Sequence, residues 1–210
     1  MSELRLVLLG SEHDLSGFDC GNAELDRWLI DHAFASQKAD LARTYLALDG
    51  RTVGGYVSLT TGSIRREAAP KRYARGMPRH TIPIILIARL AVDCRHQGNR
   101  LGSRLLAEAL RLAVTASDTV AARLVVVDAI DEQAAGFYRR WGFIEVPENP
   151  HRLFRKISEI RRSLEGLVTT TPGQLLPAAK IVTSTSSTST APATSRSTAA
   201  TGYQRHRSAH

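Results

Sequence analysis

Arg95-His96-Gln97-Gly98-Asn99-Arg100-Leu101-Gly102 is the stretch whose reading decides the fold. Before it runs an apolar segment, Ile82 to Val92. After it, from Gly98 to Ala116, leucine or alanine recurs at 101, 105, 109 and 112 and at 106, 110 and 113. The first segment reads as a long strand and the second as an amphipathic helix, so the octapeptide is a strand-to-helix turn. A helix start presents free backbone N–H groups and the positive end of the helix dipole, which together suit a phosphate. Glycines at 98 and 102 let the backbone approach a ligand or pack tightly. No Gly-Lys-Ser/Thr follows, which excludes a Walker A loop, and the dinucleotide pattern G-x-G-x-x-G is absent.

Reading outward, Leu4 to Leu9 is a first strand. Asn22 is a candidate N-cap, and Leu25, Trp28, Leu29, His32, Ala33 and Ser36 fall at helical spacing, which predicts a helix over 23–37. Thr44 to Leu48, Asp49-Gly50 and Thr52 to Thr60 read as a β-hairpin. Residues 64–80, with Pro70, Gly76 and Pro78, are loop-like with room for a short helix. Arg123 to Ala129 is an apolar, β-branched strand, Asp131 to Trp141 a helix stopped by Gly142, and 143–146 and 153–157 are closing strands. The βαβ unit from Ile82 to Ala129 has the length of a right-handed crossover between parallel strands. The class is α/β: a mixed, mostly antiparallel sheet with flanking helices.

The chain has 210 residues, 43% hydrophobic and 23% charged, which is room for one ordinary domain and an extension. No run of about 18 apolar residues exists to span a membrane, and Met1 to Arg5 lacks the apolar region of a signal peptide. Two cysteines, Cys20 and Cys94, cannot build a disulfide framework, so a cytoplasmic protein is expected. The net charge of +8 is uneven. Residues 167–210 carry +4 and no acid, and Arg65 to Arg79 carries +5. From Thr183 to Thr201, 13 of 19 residues are Ser or Thr, too polar to offset their own ordering entropy. The expected organisation is a domain over 1–166 and a disordered tail over 167–210, the tail read as solvated chain rather than a nucleic-acid arm.

Arg95-x-x-Gly98 followed by Leu101-Gly102 resembles the R/Q-x-x-G-x-G/A motif of the GNAT acetyltransferases. Leu90-Ala91-Val92-Asp93 is similar to the strand that pairs with the pantetheine arm of acetyl-CoA in that family. Ala135-Gly136-Phe137-Tyr138-Arg139-Arg140-Trp141-Gly142-Phe143 resembles its FY…GF element. Phe18-Asp19-Cys20-Gly21, Arg43-Thr44-Tyr45, Ile82-Pro83 before Arg89-Leu90-Ala91-Val92-Asp93, and Val127-Asp128-Ala129 look like the GNAT toxins of type II toxin–antitoxin modules. The resemblance spans roughly residues 4 to 158 and implies the GNAT (acyl-CoA N-acyltransferase) fold. It implies an acetyl-CoA-dependent N-acetyltransferase that acts on the α-amino group of aminoacyl-tRNA and blocks translation. It also implies a cognate antitoxin, a homodimer, and neither a metal nor a membrane. The cofactor residues it implies are Leu90, Ala91, Val92, Arg95, His96, Gln97, Gly98, Asn99, Arg100, Gly102, Ser103 and Phe137. Arg100 departs from the motif's small residue; its guanidinium could add a contact to the pyrophosphate or crowd it.

Acetyl transfer needs a neutral amine, a polarised carbonyl and a proton for the leaving thiolate. An α-amine, with a pKa near 7.7–8.0 or below, needs only a weak base, and strand N–H groups polarise the carbonyl. Tyr138 is the candidate acid; by spacing alone an aromatic beside Phe137 is a core residue, and the family position is what favours catalysis. Arg65, Arg66, Lys71, Arg72, Arg75 and Arg79 would hold tRNA phosphates, the bland reading being a solvated basic loop. Cys94 reads as a small, partly buried thiol rather than a nucleophile, and no histidine or cysteine has metal spacing. Asp128 and Asp131 bracket a strand end, one of them better read as an N-cap than as a base. The other readings are a GNAT acetylating protein or small-molecule amines, and a degenerate, non-catalytic GNAT binding module.

Overall fold

The computed structural model describes residues 5–76 and 80–169. Strands β1 (Arg5–Leu8), β2 (Arg43–Asp49), β3 (Thr52–Ile64) and β4 (Ile82–Val92) form an antiparallel meander. Strands β5 (Leu124–Asp128), β6 (Ile144–Val146) and β7 (Asn149–Lys156) complete one seven-stranded sheet in the order β1-β2-β3-β4-β5-β7-β6. Among the described residues the one parallel pair is β4 with β5, joined by helix α4 (Leu101–Thr119) as the crossover requires.

Strand alternation sends neighbouring residues to opposite faces, and the chain fills both. On one face Val57, Ile85, Ile87, Val125, Val127 and Leu153 pack under α4, α5 (Glu132–Arg140) and α6 (Ile157–Thr169). The α4 stripe is the one the sequence predicts, with Leu101, Leu105, Leu106, Ala109, Leu110 and Ala113 buried. Gly55 of β3 lets this helix sit close: a Cβ there would stand 2.8 Å from Leu105 Cδ1 and 2.9 Å from the Ala91 carbonyl oxygen. On the other face Leu46, Leu48, Tyr56 and Ala91 carry a second cluster with Leu29 and Ala33. A third cluster joins Ile82, Ile84, Val126 and Phe154 to Tyr73 and Ala74 of the short helix α3 (Lys71–Ala74).

Several expectations change. The helix predicted over 23–37 is three pieces: α1 (Ala23–Arg27), a π-helical turn over Trp28–His32, and α2 (Ala33–Lys38). Asn22 does cap it, accepting from the Glu24 and Leu25 amides. The 64–80 segment holds the end of β3, a 3-10 turn over Arg66–Ala68 and α3. The strand expected over 153–157 begins at Asn149, and α6 follows it without a break. That helix was not expected, although Ile157, Ile160 and Leu164 supply its apolar stripe, and it carries ordered chain past the boundary placed at 166. The rest of the tail, from 170, lies outside the described residues.

Candidate active site

The parallel pairing of β4 with β5 stops at Ile87 and Val127. Beyond it β4 continues to Val92 along β3, while Asp128 of β5 stays with Arg152 of β7. The two strands part there, and the β5-facing backbone edge of Leu90, Ala91 and Val92 is left without a strand partner. A β-bulge marks the place: Ser58 pairs with Arg89 and Leu59 with Ile87, so Ala88 is the extra residue.

The turn after β4 is fixed from inside. Asp93 is fully buried and caps the 3-10 turn Cys94–His96. Its carboxylate accepts from the Asp19 amide at 3.2 Å, the Arg95 amide at 2.9 Å, Arg95 Nε at 2.8 Å and Arg95 Nη2 at 2.7 Å. Those bonds, led by the Arg95 side chain, hold the Asp93 carboxyl well below the usual carboxylate range. Arg95 Nη2 also donates to the Gly17 carbonyl, so the Nε and Nη2 edge of the guanidinium is turned to the protein. Gln97 Nε2 donates to the carbonyls of Cys20 and Val92, both at 3.0 Å. His96 turns under the β2–β3 hairpin, with Nε2 3.4 Å from Asp49 and its ring against Gly54. The side chains of Arg95, His96 and Gln97 therefore shape the turn and hold its backbone in place.

That backbone is arranged for an anion. Gly98 has φ +77°, and Arg100 is left-handed at φ +59°, directly before α4. The amides of Leu101, Gly102 and Ser103 head the helix, ahead of Arg104, whose amide is the first to donate within it, to the Arg100 carbonyl. Asn99 and Arg100 are exposed. A Cβ on Gly102 would meet only Val92, at 3.6 Å, so packing alone does not demand glycine there.

Tyr138 lies on α5, whose N-cap is Asp131, accepting from the Ala134 amide at 2.7 Å. Its ring makes edge contacts with Phe137 at 5.1 Å and Phe143 at 5.7 Å, and is buried but for 6%. Burial pushes the phenol above its ordinary pKa, so it stays protonated at neutral pH. Among the described residues its hydroxyl has no hydrogen-bond partner. Phe137, beside it, is half-buried against the same cluster.

The basic segment divides. Arg66 Nε donates to the Ala74 carbonyl. Arg72 stacks on the Tyr73 ring at 4.7 Å and donates to its hydroxyl, which donates in turn to Glu159 of α6 at 2.7 Å. Arg65, Lys71 and Arg75 are exposed and point outward with no such ties, and Arg79 lies outside the described residues. Cys94 is exposed, not partly buried as expected, because the turn lifts it clear of the core; burial pushes the Cys20 thiol up to about 12. Among the described residues no three His, Cys, Asp or Glu side chains cluster as metal ligands would.

A sheet that opens beside a glycine-bearing helix start, with an unpartnered tyrosine hydroxyl on the next helix, is the architecture of an acyl-CoA-dependent transferase. Residues 40–145 match the acetyltransferase (GNAT) domain family, and the chain belongs to that family. Among curated proteins it is similar to the tRNA-acetylating toxin of Mycobacterium tuberculosis, 36% identical over 149 residues, covering 70% of this chain and 89% of the toxin. Among solved structures it is similar to AtaT complexed with acetyl-methionyl-tRNA, with TM-score 0.72 and 31% identity over 77% of this chain and 99% of AtaT. It is also similar to a tyrosine-to-phenylalanine mutant of AtaT bound to acetyl-CoA and the C-terminus of the antitoxin AtaR, with TM-score 0.67 and 29% identity over 78% and 99%.

Proposed function

We propose that this chain is an acetyl-CoA-dependent N-acetyltransferase that modifies the α-amino group of aminoacyl-tRNA and thereby stops translation. The observation that carries the reading is the parting of β4 from β5 after Ile87 and Val127, directly before the α4 turn. In this reading the free edge of Leu90, Ala91 and Val92 pairs with the pantetheine arm. The backbone of residues 98–103 takes the pyrophosphate, and a strand amide polarises the thioester carbonyl.

The α-amine attacks the thioester carbon, forming a C–N bond. The tetrahedral centre then collapses, the C–S bond breaks, and the amine gives up a proton to solvent. Tyr138, kept protonated by burial, donates to the developing thiolate, and solvent restores its proton. The exposed cations Arg65, Lys71 and Arg75 favour a polyanionic acceptor over a free amine.

Three further features belong to the same proposal: a cognate antitoxin, a homodimer, and a cytoplasmic place. Among the described residues no helix is long and apolar enough to cross a membrane. The division into an acetyltransferase domain over 1–166 and a Ser/Thr-rich tail over 167–210 belongs to the proposal as well, and helix α6 runs across that boundary to Thr169.

The test is incubation of total charged tRNA with labelled acetyl-CoA, followed by identification of the labelled amino acid. Label on ester-linked amino acid is expected. Label confined to protein or small-molecule amines would redirect the reading to a general acetyltransferase, and absence of acetyl-CoA binding by titration would leave a binding module.

A further inference from the structure

One polar row crosses the sheet on the face covered by α1 and α2. Thr44 of β2 pairs with Ser58 of β3, and Ser58 with Arg89 of β4, so the three side chains stand in line across three strands. Thr44 and Ser58 are fully buried, with Thr44 Oγ1 3.2 Å from Ser58 Oγ. The row separates two apolar clusters, one with Tyr56 and Ala91 and one with Ile64 and Ile84. It ends in the one charged side chain of an otherwise apolar eleven-residue strand. Polar residues beneath helices cost stability unless satisfied, so their termination in a cation at the open seam calls for a reason.

Arg89 is held ready. It follows the bulged Ala88 and is the second residue of β4 beyond the last β5 pairing. Its guanidinium carbon lies 4.2 Å from the centre of the Trp28 ring. Trp28 in turn stacks on Tyr56 at 6.0 Å with planes 19° apart, and Tyr56 is anchored by its hydroxyl to the Leu25 carbonyl at 2.9 Å. Trp28 also opens the π-helical turn, an irregularity concentrated at functional sites. Arg43, Arg95, Arg139, Arg152 and Arg161 all meet carboxylates. Among the described residues Arg89 meets none, and its five donors are free in a fixed plane.

We infer that Arg89, laid over Trp28, receives the phosphate that joins the terminal nucleotide of the acceptor end, and so selects a nucleotide-borne amine. The inference rests on the aminoacyl-tRNA reading above. Leu90 to Val92 give that reading its acetyl-binding edge, and Arg89 is the adjoining residue, directed to the opposite face of the strand from Leu90. The α-amine of an amino acid esterified to the terminal ribose lies within one nucleotide of that phosphate. A planar, unpaired guanidinium is the group best matched to it. The outward cations at 65, 71 and 75 can hold phosphates without knowing where the chain ends; a cation at the seam reads the end itself.

A two-by-two cycle tests this. Wild type and Arg89→Gln are each assayed on charged tRNA carrying either a normal linkage or a neutral methylphosphonate before the terminal nucleotide. Each single change is expected to lower kcat/KM about tenfold, and the two together no further, because they remove one contact. The KM for acetyl-CoA stays unchanged throughout. Losses that multiply, or no loss from Arg89→Gln, would overturn the inference. Should Arg89→Gln fail to bind acetyl-CoA, Arg89→Lys goes through the same cycle, with a smaller loss expected and the same criterion. Failure of wild type to acetylate the unmodified charged tRNA would instead reject the aminoacyl-tRNA reading.

Discussion

Two cation-rich segments of this chain do opposite work with the same residue types. Between Asp93 and Ser103 one arginine turns inward while Arg100 stays exposed: Arg95 closes on a fully buried Asp93 and on Gly17 and braces the turn's backbone. Among the described residues between Arg65 and His80 the charge turns outward at three positions, while Arg66 and Arg72 fold back on the protein. The first segment is tied by hydrogen bonds from distant parts of the chain, the arrangement that presenting several amides to one anion would require. The second leaves exposed cations, and a polyanion needs only charge within reach. An arginine count therefore says little until each guanidinium's partner is known.

The sharpest way to break the comparison is on the donor side. Tyr138→Phe removes only a hydroxyl that the fold does not use, and should lower kcat by 10²–10⁴-fold while acetyl-CoA affinity and melting temperature hold. Single-turnover acetylation beside calorimetric titration reads both; an unimpaired kcat would remove Tyr138 from the chemistry.

Next is Asp93→Asn, expected to cost about 2 kcal/mol at pH 7, since a buried acceptor of four hydrogen bonds is lost but its partner Arg95 is half-exposed. The carboxyl is held below its ordinary range, so its contribution is complete above the unfolded value of about 3.9 and fades as pH falls through the lower folded value. Urea unfolding at a series of pH values should therefore show an acid limb in wild type that is shallower in the variant.

On the acceptor side, Lys71→Glu with Arg75→Glu should raise KM for charged tRNA about tenfold, flatten its salt dependence and leave acetyl-CoA alone. Arg72→Glu, placed against Glu159, should act on melting temperature instead. Equal behaviour of the two sets would erase the distinction between outward and folded-back cations. The smallest effect is expected at the turn's strained residue. Arg100→Gly should raise stability by about 0.5 kcal/mol, the left-handed cost relieved less the added freedom of the unfolded chain.

Much of this was legible in the sequence where the signal is local. The apolar run of β4 and β5, the α4 stripe, the Asn22 and Asp131 caps and the turn at Gly142 all follow from short-range chemistry. The π-helical turn was not, because Leu25, Trp28, Leu29 and Ala33 fit a 3.6 period equally well and the extra residue comes with the seating of Trp28 on Tyr56. α6 was missed because Arg161, Arg162 and Glu165 break up a stripe that Ile157, Ile160 and Leu164 nonetheless complete. In the site, the motif marked the turn, but the inward bonds of Arg95 and His96 depend on Asp93, Gly17 and Asp49, distant or unremarkable in the sequence. The one signal for Arg89 was a lone charge in an apolar strand.

The parting of β4 and β5 also bears on how this sheet avoids open-ended strand addition. An unpaired strand edge is a template on which any extended chain can add, and therefore an aggregation hazard. Over the described residues the outer rims, β1 and β6, run four and three residues, too short to template much. The unpaired edge of Leu90 to Val92 is inside the sheet, between β3 and the departing β5, rather than on its rim. Backbone pairing can thus serve recognition here without inviting polymerisation.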